Sequence, residues 1–327
     1  MDYVIRLAAN CAPGHYPLAV GDQAQWQSVG ESRWRLTLDL PDVPSAHIIV
    51  PSFSMVLADG GSYRFRFTLQ TTSTHPLTPV PSPPDASSQT QVAEASTQVS
   101  SHIDCWHSAT ALVQPKVLLE VQTPQRPQTY LVVVSIRPLA LTPPDPACTS
   151  LRAEVPGSFS QMEADPAIRR RICSPTALAM AMSRFANAPG WPETVAACYD
   201  EATKAYGVWP LAIQWASRHG VLGAVEVFSD WLAPLACLEA GVPLVCSIRF
   251  SKDQLKGAPL AQTGGHLVLL YGIEGDQVLV KDPAADSASQ VDRRYNAESF
   301  TRAWLAHRGA AYVLGTSPLI ANPQAAD

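Results

Sequence analysis

Residues 1 to about 140 consist of short apolar or β-branched runs separated by turn signals, without a stretch of helical periodicity. In Tyr63–Phe67 aromatic residues alternate with arginines, which is typical of a strand with one buried and one solvated face. Runs of this kind predict strands at Asp2–Leu7, Ser32–Leu38, His47–Val50, Tyr63–Leu69, Lys116–Val121 and Thr129–Pro138. The amino-terminal part of the chain is therefore predicted to be an all-β sandwich.

Beyond about residue 150 the pattern changes to a helical spacing, and apolar strand runs follow. The helix predicted at Ser174–Ala186 carries apolar residues at helical spacing, and Pro175 suits its first turn. The other predicted elements are helices at Glu193–Ala205, Trp209–His219, Trp231–Ala240 and Ala297–Ala306, and strands at Pro243–Phe250, His266–Ile273, Gln277–Lys281 and Ala311–Gly315. Helices that precede antiparallel strands indicate an α+β domain.

Changes in composition suggest how the chain is divided. Residues 71–100 are rich in Ser, Thr, Pro and Gln and hold too little apolar surface to offset the entropy of ordering them. They are predicted to form a long mobile loop. Leu141–Pro146 is rich in proline and is predicted to be an interdomain linker. The predicted organisation is a β-sandwich domain over residues 1–145 and a second domain over residues 151–327.

Composition argues against several classes of protein. Hydrophobic residues make up 46% of the chain and charged residues 16%, which excludes wholesale disorder. The net charge of −5 and the lack of a basic stripe argue against a nucleic-acid partner. No apolar run approaches the roughly 20 residues of a membrane span, and the amino terminus shows no signal-peptide pattern. The seven cysteines form an odd set without CxxC spacing, so we expect a cytoplasmic protein with reduced thiols, and no motif indicates a metal or a cofactor.

Three residues of the second part stand where nucleophilic chemistry would need them. Cys173 opens a predicted helix, where unpaired backbone N–H groups and the helix dipole favour a thiolate. His266 follows two glycines and opens a strand, from which an imidazole can act as a general base. Asp282 ends the next strand and can accept the other imidazole N–H. Each also has an ordinary structural explanation, as a buried thiol, a hydrogen-bonded histidine or an Asp-Pro turn.

Four motifs in one order make the second part resemble the C39-like cysteine peptidases of the papain-like superfamily, over about residues 155–316. The motifs are Ser160-Gln161, Ile172-Cys173-Ser174-Pro175-Thr176, Gly264-Gly265-His266-Leu267-Val268 and Val280-Lys281-Asp282-Pro283-Ala284. The resemblance implies a papain-like fold in which Cys173 is the nucleophile, His266 the general base and acid, and Asp282 the residue that orients the imidazole. It also implies that Gln161 donates its side-chain amide to the oxyanion hole, beside the N–H of Cys173. One departure is Ser174, where the family commonly has glycine and where a side chain could obstruct a substrate backbone.

The reaction that the resemblance implies is attack of a thiolate on a peptide or another amide, followed by hydrolysis of a thioester acyl-enzyme. The same residues also serve acyltransferases, and a likeness in fold does not separate the two activities. A catalytically silent papain-like module that holds a peptide is the non-enzymatic alternative. The expected partner is a peptide or protein substrate, and the N-terminal β domain could recruit a further protein.

Overall fold

The computed structural model describes residues 2–11, 14–21, 23–57, 61–83, 98–146 and 149–319 of the 327-residue chain. The strands of the first half are β1 Tyr3–Ala9, β2 Gln27–Gly30, β3 Arg33–Asp39, β4 His47–Val56, β5 Arg64–Gln70, β6 Thr74–Pro76, β7 Val99–Ser101, β8 Trp106–Ser108, β9 Lys116–Gln122 and β10 Thr129–Pro138. The later elements are β11 Thr149–Arg152, α1 Cys173–Met182, α2 Trp191–Ala197, α3 Trp209–Arg218, β12 Gly223–Val227, α4 Leu232–Glu239, β13 Leu244–Phe250, β14 Thr263–Gly275, β15 Gln277–Lys281, β16 Asp292–Asn296, α5 Ala297–Trp304 and β17 Ala310–Leu314. The described chain is thus mostly sheet with some helices, an α+β arrangement with antiparallel sheets, as the sequence predicts.

The strands of the first half form two five-stranded sheets. One has the strand order β1-β10-β4-β8-β7 and the other β2-β3-β9-β5-β6. Side chains of both sheets enter one hydrophobic cluster, in which the ring centroids of Phe53 and Phe65 are 5.3 Å apart. Phe65 and Phe67 are buried while Arg64 and Arg66 are exposed, so the alternation in the sequence sets the buried face of β5.

Parts of the first half differ from the sequence prediction. β4 continues past Val50 to Val56 and is buried throughout, because the Ser52 and Ser54 hydroxyls find hydrogen-bond partners inside the protein. The loop prediction for residues 71–100 is wrong at β6 and at the start of β7, where His75 and Val99 are buried. Residues 84–97 of that tract lie outside the described residues.

The second half forms a seven-stranded sheet with the order β12-β17-β13-β14-β15-β16, to which β11 adds by pairing with β14. Helix α1 packs on the face that carries Leu267 and Leu269, and α5 packs on the face that carries Val268 and Leu270. Because both faces of β14 are covered, its apolar run is continuous rather than alternating. The pairing of β15 with β14 ends at Leu269 and leaves the edge at His266 for other contacts.

One edge of the second sheet is covered by the first half of the chain. β12 is the outermost strand, and the hydroxyls of Ser52 and Ser54 on β4 bond to its backbone at Val225 and Gly223. Such bonds satisfy backbone groups that an open edge would leave unpaired.

Two buried charged groups also join the halves, which residues 141–146 connect without helix or strand. The guanidinium of Arg137 on β10 donates to the carbonyls of Phe228 and Leu305, at 2.6 and 2.8 Å. Arg6 on β1 pairs with the buried Glu226 on β12. The two halves are therefore held together by specific polar bonds as well as by apolar contact.

Candidate active site

Cys173 is the first residue of α1 and is partly exposed. The residue before it, Ile172, provides no side-chain cap for the N–H groups of the first turn. The thiol lies in hydrogen-bonding contact with His266 and with the backbone N–H groups of Ser174 and Leu267. The start of α1 and the strand β14 therefore both supply donors to the sulfur, which favour a thiolate.

His266 lies near the start of β14, and Asp282 directly follows β15. Nε2 of His266 is 2.7 Å from Oδ1 of Asp282, and both side chains are buried. Because Nε2 faces the carboxylate, Nδ1 is the ring nitrogen that remains for the thiol of Cys173. The structure thus brings three of the sequence-predicted residues into one hydrogen-bonded row.

The members of this row shift one another's pKa values. Burial acts to raise the pKa of the Cys173 thiol, but the hydrogen bond and charge of His266, together with the backbone N–H groups of Leu267 and Ser174, outweigh burial and lower it. Burial acts to lower the pKa of His266, but the charge and hydrogen bond of Asp282, together with Cys173, raise it to about 10. Burial acts to raise the pKa of Asp282, and the charge and hydrogen bond of His266 reverse that direction. Both shifts favour a thiolate beside an imidazolium over a neutral thiol beside a neutral imidazole.

Other cysteines of the described chain have the opposite shift. Burial raises the pKa of Cys198 to about 12. The same cause raises the pKa of Cys11, Cys105, Cys237 and Cys246. Partial exposure and a lowered pKa therefore coincide at Cys173, which is the combination that makes a thiol reactive.

Tyr295 is a residue of the site that sequence reasoning missed. Its hydroxyl donates to Oδ2 of Asp282 at 2.8 Å, while the N–H of Ala284 donates to Oδ1 at 2.9 Å. Tyr295 lies on β16, whose short and charged sequence, DRRYN, gives no signal of a buried strand. Its position becomes evident only once β16 is paired with β15.

Gln161 lies between the segments that carry the other site residues. Its backbone N–H donates to the carbonyl of Pro283 at 2.8 Å. Its side-chain amide nitrogen donates to the carbonyl of Arg169 at 2.7 Å, and its buried carbonyl oxygen has no partner among the described residues. The amide carries a second hydrogen that this bond does not use. The structure places Gln161 near the site without showing a bond to Cys173.

Ser174, whose side chain could obstruct a substrate backbone according to the resemblance, makes its hydrogen bond inside the protein. Its side chain is buried, and its Oγ lies 2.8 Å from the hydroxyl oxygen of Tyr312 on β17. The serine ties the start of α1 to the sheet.

In the ranges that the structure describes, no group of three or more His, Cys, Asp or Glu side chains is placed to hold a metal ion. None of the helices in those ranges is long and apolar enough to cross a membrane.

The comparisons with known proteins concern the second half of the chain. Residues 154–312 match the model of the Peptidase_C39 like family. The second half of the chain is therefore a C39-like domain, as its motifs indicate. A solved structure from Bacillus anthracis, described as a C39-like peptidase, aligns at 17% identity and a TM-score of 0.38, covering 51% of this chain and 97% of that one. No protein of curated function matches the chain.

Proposed function

We propose that this chain is a cysteine peptidase or a related amide hydrolase that acts on a peptide or protein through Cys173, His266 and Asp282. One observation carries the proposal. A partly exposed thiol of lowered pKa contacts a histidine whose other ring nitrogen is 2.7 Å from a buried carboxylate. The family match over residues 154–312 supports the same class of reaction.

In the proposed reaction the Cys173 thiolate attacks the substrate carbonyl carbon, and the carbonyl π electrons move onto the oxygen. The N–H of Cys173, which has no intrahelical acceptor, and the second amide hydrogen of Gln161 stabilise that oxyanion. His266 then gives the proton on Nδ1 to the leaving amine as the C–N bond breaks, which leaves a thioester. The neutral His266 takes a proton from water, whose attack releases the acid and the thiolate. Asp282 keeps the ring oriented throughout.

We further propose a papain-like domain over residues 151–327 and an all-β sandwich over residues 1–145. Two five-stranded sheets that share one hydrophobic cluster support the sandwich. A helix that begins at the nucleophile and packs on an antiparallel sheet supports the papain-like domain. A protein partner for the sandwich and a cytoplasmic location remain predictions.

Labelling with an iodoacetamide probe across pH tests the proposed nucleophile. We expect rapid labelling at and below neutral pH in the wild type, because the thiolate is the reactive form. The rapid phase of labelling should disappear in Cys173→Ala and slow in His266→Ala. Cys11→Ala is the matched control, since Cys11 is also partly exposed but has a raised pKa, and its removal should leave the rapid phase unchanged.

Labelling of Cys173 no faster than that of an ordinary thiol would contradict the proposal and favour the peptide-holding module. Where labelling is rapid, incubation with a peptide library and an added amine separates the two enzymatic alternatives. Hydrolysis yields free acids, whereas an acyltransferase joins the acyl fragment to the amine, and mass spectrometry distinguishes these products.

A further inference from the structure

The carboxylate of Asp282 uses its two oxygens for different partners. Oδ1 accepts from Nε2 of His266 at 2.7 Å and from the N–H of Ala284 at 2.9 Å. Oδ2 accepts from the hydroxyl of Tyr295 at 2.8 Å. Asp282 is only 1% exposed, so water does not stand in readily for a lost partner. The orientation of the carboxylate toward His266 therefore depends on what holds Oδ2.

The ring of Tyr295 is itself held firmly. It is 1% exposed and stacks on Phe300 of α5, with ring centroids 6.4 Å apart and planes 20° apart. Its strand, β16, pairs with β15, and Val278 is the partner of Tyr295 in that register. Because Asp282 directly follows β15, the acceptor lies at the end of the strand that neighbours the donor's strand. A hydroxyl held in this way fixes the direction of a carboxylate rather than following it.

We propose that Tyr295 is a positioning residue of the site: its hydroxyl holds Oδ2 of Asp282, so that Oδ1 stays on His266 and the carboxylate stays ionised. This inference rests on the proposed function, since it concerns how the Cys173 thiolate is maintained. The effect passes from Tyr295 to the thiol through Asp282 and His266 in turn.

The charged groups around Asp282 are consistent with this role. His266 faces Oδ1, and Tyr295 faces Oδ2. The neighbouring Lys281 is engaged by Ser158 and Asp292. Burial and then the charge of Asp282 raise the pKa of Tyr295, and the charge of Arg293 opposes them without reversing the direction. The hydroxyl therefore keeps its proton, and remains a donor, wherever the thiolate and imidazolium coexist.

Tyr295→Phe removes only the hydroxyl, and iodoacetamide labelling of Cys173 across pH measures the result without needing a substrate. We call the pH at which labelling reaches half of its maximal rate the labelling midpoint. The lost hydrogen bond acts on the thiol only through Asp282 and His266, so the midpoint should move upward by about half a pH unit to one pH unit. Below the midpoint, labelling should slow by about threefold to tenfold. A role confined to stability would lower the unfolding midpoint and leave the labelling midpoint where it is.

Tyr16→Phe is the matched control. Tyr16 is buried and its hydroxyl donates to a buried carboxylate, Glu226, at 2.7 Å. This variant should be destabilised in the same way as Tyr295→Phe and should label like the wild type.

Replacement of Tyr295 by 3-fluorotyrosine covers the case in which Tyr295→Phe does not fold. The fluorinated ring keeps the hydroxyl and makes it a stronger donor, so the labelling midpoint should move downward. A midpoint equal to that of the wild type in a folded variant of either kind would overturn the role of Tyr295. A wild-type profile typical of an ordinary thiol would instead contradict the proposed function itself.

Discussion

Asp282 and Glu226 are both buried carboxylates, and each accepts hydrogen bonds from one basic side chain and one tyrosine hydroxyl. At Glu226 the basic partner is Arg6, with Nε–Oε1 and Nη2–Oε2 distances of 2.8 and 2.6 Å. A cysteine lies nearby in both places. Cys237 is close enough for Glu226 and Arg6 to affect its pKa, as Cys173 is for His266.

The two clusters differ in the order of their members and in their access to solvent. Cys237 is fully buried within the hydrophobic core, and burial followed by the charge of Glu226 raises its pKa. Cys173 is partly exposed at a helix start, and the base stands between the thiol and the carboxylate. A buried carboxylate bonded to a basic side chain and a tyrosine is therefore not enough to make an active site. The basic side chain must be one that can gain and lose a proton near neutral pH, as histidine can and arginine cannot, and the thiol must be accessible to solvent.

The largest effect is expected for Asp282→Asn, which removes the charge that maintains the imidazolium of His266. Hydrolysis should fall by about 10⁴-fold, as the matching Asp-to-Asn change does in a serine-protease triad, and the labelling midpoint of Cys173 should rise. Steady-state kinetics and iodoacetamide labelling measure the two effects. Asp292→Asn is the control, because that carboxylate bonds to Lys281 instead, and it should leave both unchanged. Full activity in Asp282→Asn would remove Asp282 from the mechanism.

Glu226→Gln should lower the stability of the protein without changing the reactivity of Cys173. Arg6 would lose its ionic partner while remaining mostly buried, so the free energy of unfolding should fall by about 3–5 kcal/mol. Urea unfolding measures the loss, and the labelling midpoint of Cys173 should stay that of the wild type. A shifted labelling midpoint would mean that the two clusters are coupled, which would break the comparison.

The pH dependence of labelling and of stability should distinguish the cluster at Asp282 from the cluster at Glu226. Labelling of Cys173 should rise about tenfold per pH unit below the lowered pKa of the thiol and level off above it. Stabilisation from His266 is complete below its ordinary pKa of 6.5 and is lost as pH rises through about 10. Stabilisation from Asp282 is complete above its ordinary pKa of 3.8 and is lost as pH falls through the lowered pKa.

Urea unfolding across pH in the wild type and in His266→Ala checks the alkaline loss, which should be absent from the variant. Unfolding of Asp282→Asn in acid provides the same check on the carboxylate. Labelling that rises only near the ordinary thiol pKa of 9.0 would contradict the ion pair.

Local pattern accounts for what could be predicted from the sequence. The bounds of β10 and β15 coincide with the predicted runs Thr129–Pro138 and Gln277–Lys281, because β-branched, aromatic and other apolar residues make up most of each run. Cys173 stands at the first residue of α1, where the helix start marks it. His266 is the fourth residue of β14, which begins at Thr263 and not at His266 as predicted, so the pair of glycines marks the histidine without marking the strand boundary.

Contacts between distant segments account for what could not be predicted. Glu226 and Arg6 are 220 residues apart, and no local pattern pairs them. β12, with the sequence GAVEV, was missed because its buried glutamate depends on distant partners, Arg6 and Tyr16. Tyr295 was missed for the same reason, since its role depends on a hydrogen bond to Asp282, which follows the neighbouring strand.

The smallest effect is expected for Ser174→Gly, which introduces the glycine that the resemblance to C39-like peptidases leads one to expect. The serine hydroxyl is bonded to Tyr312 and not to the thiol, so its removal should lower the free energy of unfolding by about 1 kcal/mol and leave the labelling midpoint of Cys173 unchanged. Tyr312→Phe should cost a similar amount, and the double variant should cost less than the sum of the two, because both remove one bond. A large gain in substrate turnover in Ser174→Gly would show instead that the serine side chain does restrict the substrate path. The contrast with Asp282→Asn would then be weakened, since two neighbours of the thiol–imidazole pair, and not the carboxylate alone, would set the rate.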